Sequence, residues 1–115
     1  MSTPSDVTLP AGVARVNDWE RDGDQAHYRF IVGATRTLTD HPIRVSVHAF
    51  QWSDGTLDDG DILSAPGIAI HDADAGRPLN SDQARELAKA LLEAADEFDR
   101  WVAEPPLTCV NASTA

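Results

Sequence analysis

The chain has 115 residues, of which 42% are hydrophobic, and this length and composition fit one folded domain with its own core. Nineteen acidic residues against nine basic ones give a formal net charge of −10. Such a surface repels phosphate, which argues against nucleic acid and against an anionic membrane as partners. The single cysteine, Cys109, excludes an internal disulfide and a zinc site built on cysteines.

Both ends of the chain are predicted to be flexible, with one domain between them. Residues 1–11 are small and polar, carry no positive charge and contain no apolar run. We therefore expect no signal peptide and a cytoplasmic protein without a membrane span. Residues 105–115 begin with two prolines and end in small polar residues. The folded domain is accordingly expected over residues 12–104.

Alternation of apolar and polar residues predicts β-strands in the first two-thirds of the chain. The clearest is residues 43–49, in which Ile43, Val45 and Val47 share one face. The Asp54-Gly55 pair that follows is typical of a two-residue hairpin turn, in which both residues take positive φ. The other predicted strands are residues 13–19, 26–32 and 67–71.

A long helix is predicted over residues 81–104, with Asn80 and Gln83 at the spacing of a capping box. Pro105 and Pro106 end it, because proline lacks the amide proton and restricts the preceding residue. Its apolar face is expected to consist of residues spaced by three and four. These are Ala84, Leu87, Ala88, Leu91, Ala95, Phe98 and Val102.

Strands followed by one helix, with short links between the strands, predict an α+β fold. We expect an antiparallel sheet of three to five strands and one long C-terminal helix packed on one face. A single helix covers one face of a sheet, so the other face meets solvent or a partner.

The best candidate site is on that second face. If the alternation of residues 43–49 continues, Phe50 and Trp52 lie opposite the core, on the same side as His48. This predicts an exposed aromatic patch that binds another protein or a second copy of the chain. Two other interpretations stay open: a β-bulge near Ala49 that turns the rings into the core, or a platform for a ligand or cofactor.

The helix offers two further candidate contacts. Trp101 lies on the flank of the apolar stripe, where it either caps the core or anchors an interface. Ala90 and Ala94 form a second smooth strip, which either packs a symmetry-related helix in a dimer or reflects the helix propensity of alanine.

Two groups of residues are considered as metal sites. His48, His71 and Asp72 could meet if their strands pair, and this trio is the candidate for a metal or small-ligand site. The acidic loop from Asp54 to Asp61 resembles a calcium loop in composition only, because glycine and glutamate are missing at the positions that an EF-hand requires.

The chain contains no G-x-S-x-G, Walker A, G-x-G-x-x-G or H-E-x-x-H motif. We therefore expect no catalytic residues and no cofactor, and interpret the chain as a non-catalytic protein-interaction or self-associating module. The alternative is an acidic inhibitor that mimics nucleic acid and blocks a DNA- or RNA-binding protein. The third hypothesis is the small-ligand or metal binder.

The stretch from Leu79 to Asp96 resembles the closing helix of small uncharacterised actinobacterial proteins that also occur in phages and mobile elements. Their pattern is approximately L-[ST]-x-x-x-A-R-x-L-A-x-A-L-x-x-A-A-D, and Asn80 departs from it. The matching residues are Leu79, Ala84, Arg85, Leu87, Ala88, Ala90, Leu91, Ala94, Ala95 and Asp96. The resemblance implies the layout of strands followed by one helix and carries no activity.

Overall fold

A computed structural model describes residues 7–73 and 76–103. Six elements follow in chain order: β1 (Val13–Val16), β2 (Tyr28–Gly33), β3 (Arg36–Leu38), β4 (His41–Trp52), β5 (Gly67–His71) and α1 (Ser81–Ala103). The five strands form one antiparallel sheet, which confirms the predicted α+β class. Cys109 and the predicted C-terminal tail lie outside the described residues.

The twelve-residue strand β4 forms the centre of the sheet. On one edge its C-terminal half pairs with β2 and its N-terminal half with β3. On the other edge it pairs with β5, and Gln51 forms a single bridge with Leu57. β1 pairs with the outer edge of β2.

The core lies between the odd-numbered side chains of β4 and the helix. Val45, Val47 and Ala49 expose none of their surface and pack in one cluster with Ala90 and Ala94 of α1. The register of β2 against β4 is continuous from Tyr28 opposite Trp52 to Val32 opposite His48. The β-bulge considered near Ala49 is therefore wrong, because such a bulge would shift this register.

The capping box at the start of α1 is confirmed. The Asn80 amide donates to Gln83 Oε1 at 3.0 Å, and the Gln83 amide donates to Asn80 Oδ1 at 2.8 Å. These bonds satisfy backbone donors that have no partner inside the first turn. The Gln83 side chain also donates to the Thr39 carbonyl oxygen at 2.8 Å, which ties the helix start to the sheet.

The predicted buried face of the helix is only partly correct. Ala84, Ala88 and Val102 are exposed, whereas the fully buried residues are Ala90, Ala94, Glu97 and Trp101. Leu87, Leu91 and Phe98 are half-buried against the core. Ala90 and Ala94 therefore pack inside the molecule and offer no strip to a second helix. The prediction failed because it gave no weight to a buried glutamate.

Glu97 is buried against Arg36 of β3. Its side chain is 3% exposed, and Arg36 Nη1 lies 3.2 Å from its Oε1 atom. Arg36 Nε also lies 3.4 Å from the half-exposed carboxylate of Glu93, one turn earlier. The guanidinium thus neutralises a carboxylate inside the fold and holds the helix to the sheet.

Residues 7–11 belong to the segment predicted to be flexible, and three of their carbonyl groups accept hydrogen bonds from the sheet and from α1. The Val7 carbonyl accepts from Arg29 Nη2 at 3.1 Å, and the Thr8 carbonyl accepts from Gln51 Nε2 at 2.9 Å. The Ala11 carbonyl accepts from Trp101 Nε1 at 2.8 Å. We call residues 7–11 the N-terminal strap.

The hairpin at Asp54-Gly55 is present, but its turn differs from the prediction. The Trp52 amide donates to the Thr56 carbonyl at 2.8 Å, so the loop contains three residues. Gly55 has a φ of 93°, and Asp54 is not in the positive-φ region. This is the pattern of a three-residue hairpin loop with glycine in its left-handed position. The return strand shrinks to the bridge at Leu57.

Among the described residues, no helix is both long enough and apolar enough to span a bilayer.

Candidate functional site

Five ring side chains lie together on the face of the sheet opposite α1. They are Tyr28 and Phe30 of β2 and His48, Phe50 and Trp52 of β4, and we call this surface the aromatic face. Trp52 lies directly opposite Tyr28 in the register, and Phe50 lies opposite Phe30. Side chains at such cross-strand positions are close enough to touch.

The rings form a connected row. The centroids of Tyr28 and Trp52 are 5.8 Å apart, and those of Tyr28 and Phe50 are 5.9 Å apart, both in edge-to-face geometry. Phe30 lies 5.1 Å from Phe50 and 5.6 Å from His48. Edge-to-face and tilted contacts are the arrangements that the aromatic quadrupole favours, so the row is stabilised by its own contacts.

The aromatic face retains accessible surface because the helix lies on the other side of the sheet. Tyr28 is buried, with 8% of its surface exposed, whereas Phe30, His48, Phe50 and Trp52 are half-buried. None of the five belongs to the core cluster that the helix covers. Four rings of the row are therefore open to contact from outside.

At one end of the row, Asp58 fixes the position of Trp52. The indole Nε1 donates to Asp58 Oδ1 at 3.3 Å. The other carboxylate oxygen accepts from the Gly60 amide at 3.1 Å and from the Leu63 amide at 2.9 Å. Asp58 is 3% exposed, so this carboxylate organises the loop beside Trp52.

Tyr28 is fixed at the same end by Asp22. Its hydroxyl donates to Asp22 Oδ2 at 3.0 Å. This hydrogen bond raises the pKa of Tyr28, and burial together with the charges of Asp22 and Glu20 adds to the effect. The phenol therefore stays protonated and keeps its bond.

His48 lies toward the other end of the aromatic face. Desolvation lowers the pKa of His48, and the neighbouring charge of His71 lowers it further. The imidazole is therefore neutral at pH 7 and behaves as one more ring of the row.

The structure does not group His48, His71 and Asp72 as metal ligands. His48 is opposite Gly67 in the register, whereas His71 is opposite Arg44, four residues earlier in β4. Arg44 Nη2 lies 3.1 Å from Asp72 Oδ2, so that carboxylate has a basic partner. No three histidine, cysteine, aspartate or glutamate side chains within residues 7–73 and 76–103 are grouped to hold an ion.

In the acidic loop after β4, two carboxylates accept hydrogen bonds from groups of the same loop. Asp54 Oδ1 accepts from the amide and the hydroxyl of Thr56, at 2.9 and 2.6 Å. Asp59 Oδ1 accepts from the Asp61 amide at 3.0 Å. Carboxylates that cap nearby amides in this way stabilise tight turns.

Trp101 is separate from the aromatic face. It is 3% exposed, packs in the core cluster on the helix side and donates its indole proton to Ala11. Of the two interpretations left open for Trp101, the core cap is the one observed. The candidate surface thus retains His48, Phe50 and Trp52 of the predicted interface residues.

Tyr28 and Phe30 are members of the aromatic face that sequence reasoning missed. Their alternation was visible, and it placed both on one face of their strand together with Val32. Whether this face of the strand lies toward the helix or away from it depends on the pairing of β2 with β4. The sequence provided no hairpin turn between these two strands to fix that pairing.

The net charge is concentrated at the Trp52 end of the aromatic face. Residues 17–27 contain Asp22, which holds Tyr28, and residues 53–66 contain Asp58, which holds Trp52. These two loops carry eight carboxylates and one arginine. The rest of the chain has eleven carboxylates and eight basic residues, which is close to balance.

No family model, curated protein or solved structure matches this chain.

Proposed function

We propose that the protein is a non-catalytic protein-interaction module that binds its partner through the aromatic face. The observation that carries this proposal is the row of five rings that contact one another through Tyr28 and Phe30, on the side of the sheet that the helix leaves open. Four of these rings, Phe30, His48, Phe50 and Trp52, are half-buried. Connected aromatic side chains on a surface are typical of protein interfaces.

Energetics support a contact surface here. Aromatic residues at the centre of an interface contribute most of the binding free energy, and truncating one costs about 2 kcal/mol or more. Trp52 is held in place by the Asp58 carboxylate before any partner arrives. Its side chain therefore loses little conformational freedom on binding, which favours affinity.

A paired-variant capture experiment tests the proposal. The wild-type protein, Phe50→Ser with Trp52→Ser, and a Leu92→Ser control are immobilised and exposed to lysate, and the retained partner is then titrated against each. Leu92 is 69% exposed on the helix and apolar, so its change removes surface hydrophobicity away from the aromatic face. We expect the double variant to weaken binding by about a hundredfold, and Leu92→Ser to leave it unchanged.

Circular dichroism and urea unfolding establish that the variants are folded. If the double variant is unfolded, Trp52→Ala alone replaces it. Undiminished binding by a folded aromatic-face variant, or equal losses in the Leu92→Ser control, would contradict the proposal.

An acidic inhibitor that mimics nucleic acid is the second candidate, supported by the eight carboxylates in the two loops beside Trp52. It requires that the captured partner be a nucleic-acid-binding protein and that a DNA or RNA duplex displace the module from it. A partner that binds the module and its nucleic acid at the same time excludes this candidate.

A further inference from the structure

We propose that the segment bound by the aromatic face carries arginine or lysine side chains, which dock at the Trp52 end between the two acidic loops. This inference rests on the proposed function and adds the chemistry of the partner. It joins two observations that are independent of one another, the open row of rings and the uneven distribution of charge.

The distribution of charge selects a cationic partner. Residues 17–27 and 53–66 flank the Tyr28–Trp52 pair and carry eight of the nineteen carboxylates, with Arg21 as their single basic residue. Arg29 of β2 does not compensate them, because its side chain lies on the helix side, bonded to Gln51 and to the N-terminal strap. A partner segment of opposite charge is attracted to this end and oriented by it.

The rings favour a partner segment in which arginine or lysine residues lie among apolar residues. Arginine and lysine bind over aromatic faces, most strongly over tryptophan, and their carbon stems add apolar contact. The fold already contains one such contact, with Arg29 Cζ 4.2 Å from the centroid of Trp19. Within residues 7–73 and 76–103 no corresponding cation lies over Trp52, whose indole proton is directed to Asp58.

A second copy of the chain fits this surface less well. It brings a net charge of −10 of its own, so two copies repel one another before they meet. The arginine of β4 on this face, Arg44, is already paired with Asp72 and is half-exposed. An arginine-rich partner meets neither obstacle.

Two synthetic peptides of twelve residues provide the probe. In one, arginine alternates with leucine and serine, and in the other glutamine replaces every arginine. The readout is the indole amide resonance of each tryptophan in a titration followed by NMR. Trp52 lies on the aromatic face, whereas Trp101 is in the core and Trp19 is covered by Arg29. We expect the arginine peptide to shift the Trp52 resonance saturably and the glutamine peptide to bind at least about tenfold more weakly.

Matched charge variants separate the local field from the net charge. Asp24→Asn, Asp59→Asn and Asp61→Asn together neutralise three exposed carboxylates in the two loops. Asp82→Asn, Asp96→Asn and Asp99→Asn neutralise three exposed carboxylates of the helix, with the same change in net charge. The loop variant is expected to weaken arginine-peptide binding about tenfold at low salt and to flatten its salt dependence, and the helix variant to leave both close to wild type.

Three results would overturn the inference: equal binding of the two peptides, equal effects of the loop and helix variants, or a dimer in sedimentation equilibrium that Trp52→Ala dissociates. Any of these leaves the proposed function standing if the cellular partner is still lost with Phe50→Ser and Trp52→Ser. If neither the Phe50→Ser with Trp52→Ser variant nor the charge variants reduce binding of the cellular partner, the proposed function itself is contradicted.

Discussion

The carboxylate of Glu97 in α1 occupies the space that a side chain at Gly33 in β2 would need. A Cβ atom added at Gly33 would lie 2.5 Å from Glu97 Oε1, and one added at Gly12 would also collide with this carboxylate. Gly33 at the end of β2 and Gly12 just before β1 thus form the recess that admits a buried acid. The absence of side chains at these two positions thus lets the Glu97 side chain pack against the end of β2.

Gly33→Ala is expected to lower the free energy of unfolding by about 1–3 kcal/mol, because the added methyl group overfills this recess. Urea denaturation followed by tryptophan fluorescence measures the change. Glu97→Asp withdraws the carboxylate by one methylene group, so the double variant should lose less than the sum of the two single losses. Strict additivity of the two losses would show that Gly33 and Glu97 do not share the recess.

Arg36→Met is expected to destabilise the fold by about 3 kcal/mol, since it leaves the Glu97 carboxylate buried without its cation. Glu93→Gln is the control, because Glu93 pairs with the same guanidinium from a half-exposed position and should cost less than about 1 kcal/mol. Thermal and urea unfolding of the two variants provide the comparison. Similar losses from both would mean that burial of Glu97 does not determine the strength of the pair.

Asp58→Ala is expected to cost about 2 kcal/mol or more, because the Trp52 indole and two loop amides lose a charged acceptor. It should also raise hydrogen exchange in residues 58–63. Asp59→Ala, next to it, removes one exposed hydrogen bond and should change stability by less than about 0.5 kcal/mol. Unaltered exchange in the Asp58→Ala loop would contradict its organising role.

The free energy of unfolding is expected to fall as the pH is lowered through the ordinary histidine pKa of 6.5, in part because of His48. The folded state lowers the pKa of His48, so between that lowered value and 6.5 the unfolded chain binds more protons than the native chain. The contribution of His48 to the free energy of unfolding is therefore fully present above pH 6.5 and is lost as the pH falls through the lowered pKa. His48→Gln should therefore reduce the slope of stability against pH between about pH 7 and 5. An unchanged slope would show that His48 titrates alike in both states.

The alternation of β4 was readable from the sequence, and with it the side of the sheet on which Phe50 and Trp52 lie. Strict period two along residues 43–52 leaves one register, since a slip by one residue would expose Val45 and Val47. The start of the helix was equally readable, because the Asn80 capping box marks it. Local chemistry was sufficient for both features.

The buried face of the helix was not readable in the same way. Alanines surround much of α1, so an apolar stripe is visible on more than one side, and hydropathy gave no reason to place Glu97 inside. That placement depends on Arg36, 61 residues earlier in the chain, and on the absence of a side chain at Gly33. Pairing between distant residues decided the face, and a single sequence does not display it.

The two acidic segments were present in the sequence, but the sequence did not show that they lie at the same end of the sheet. Residues 17–27 and 53–66 are far apart in the chain, and the pairing of Tyr28 with Trp52 brings them to one end of the sheet. The predicted aromatic face was incomplete for the same reason. Tyr28 and Phe30 lie beside the rings of β4 only because of the pairing of β2 with β4.

The hydrogen bond from Trp101 to Ala11 joins residues that are 90 positions apart. During synthesis the N-terminal strap therefore has no anchor at this point until nearly all of the domain has been made. The hairpin after β4 requires only neighbouring residues and is free to form much earlier, whereas contacts of long sequence separation form slowly because they close large loops. We expect the Ala11 end of the strap to join last, so that a nascent chain arrested before Trp101 would have the β4 hairpin and the partners of Val7 and Thr8 in place, with Ala11 still lacking its own contact.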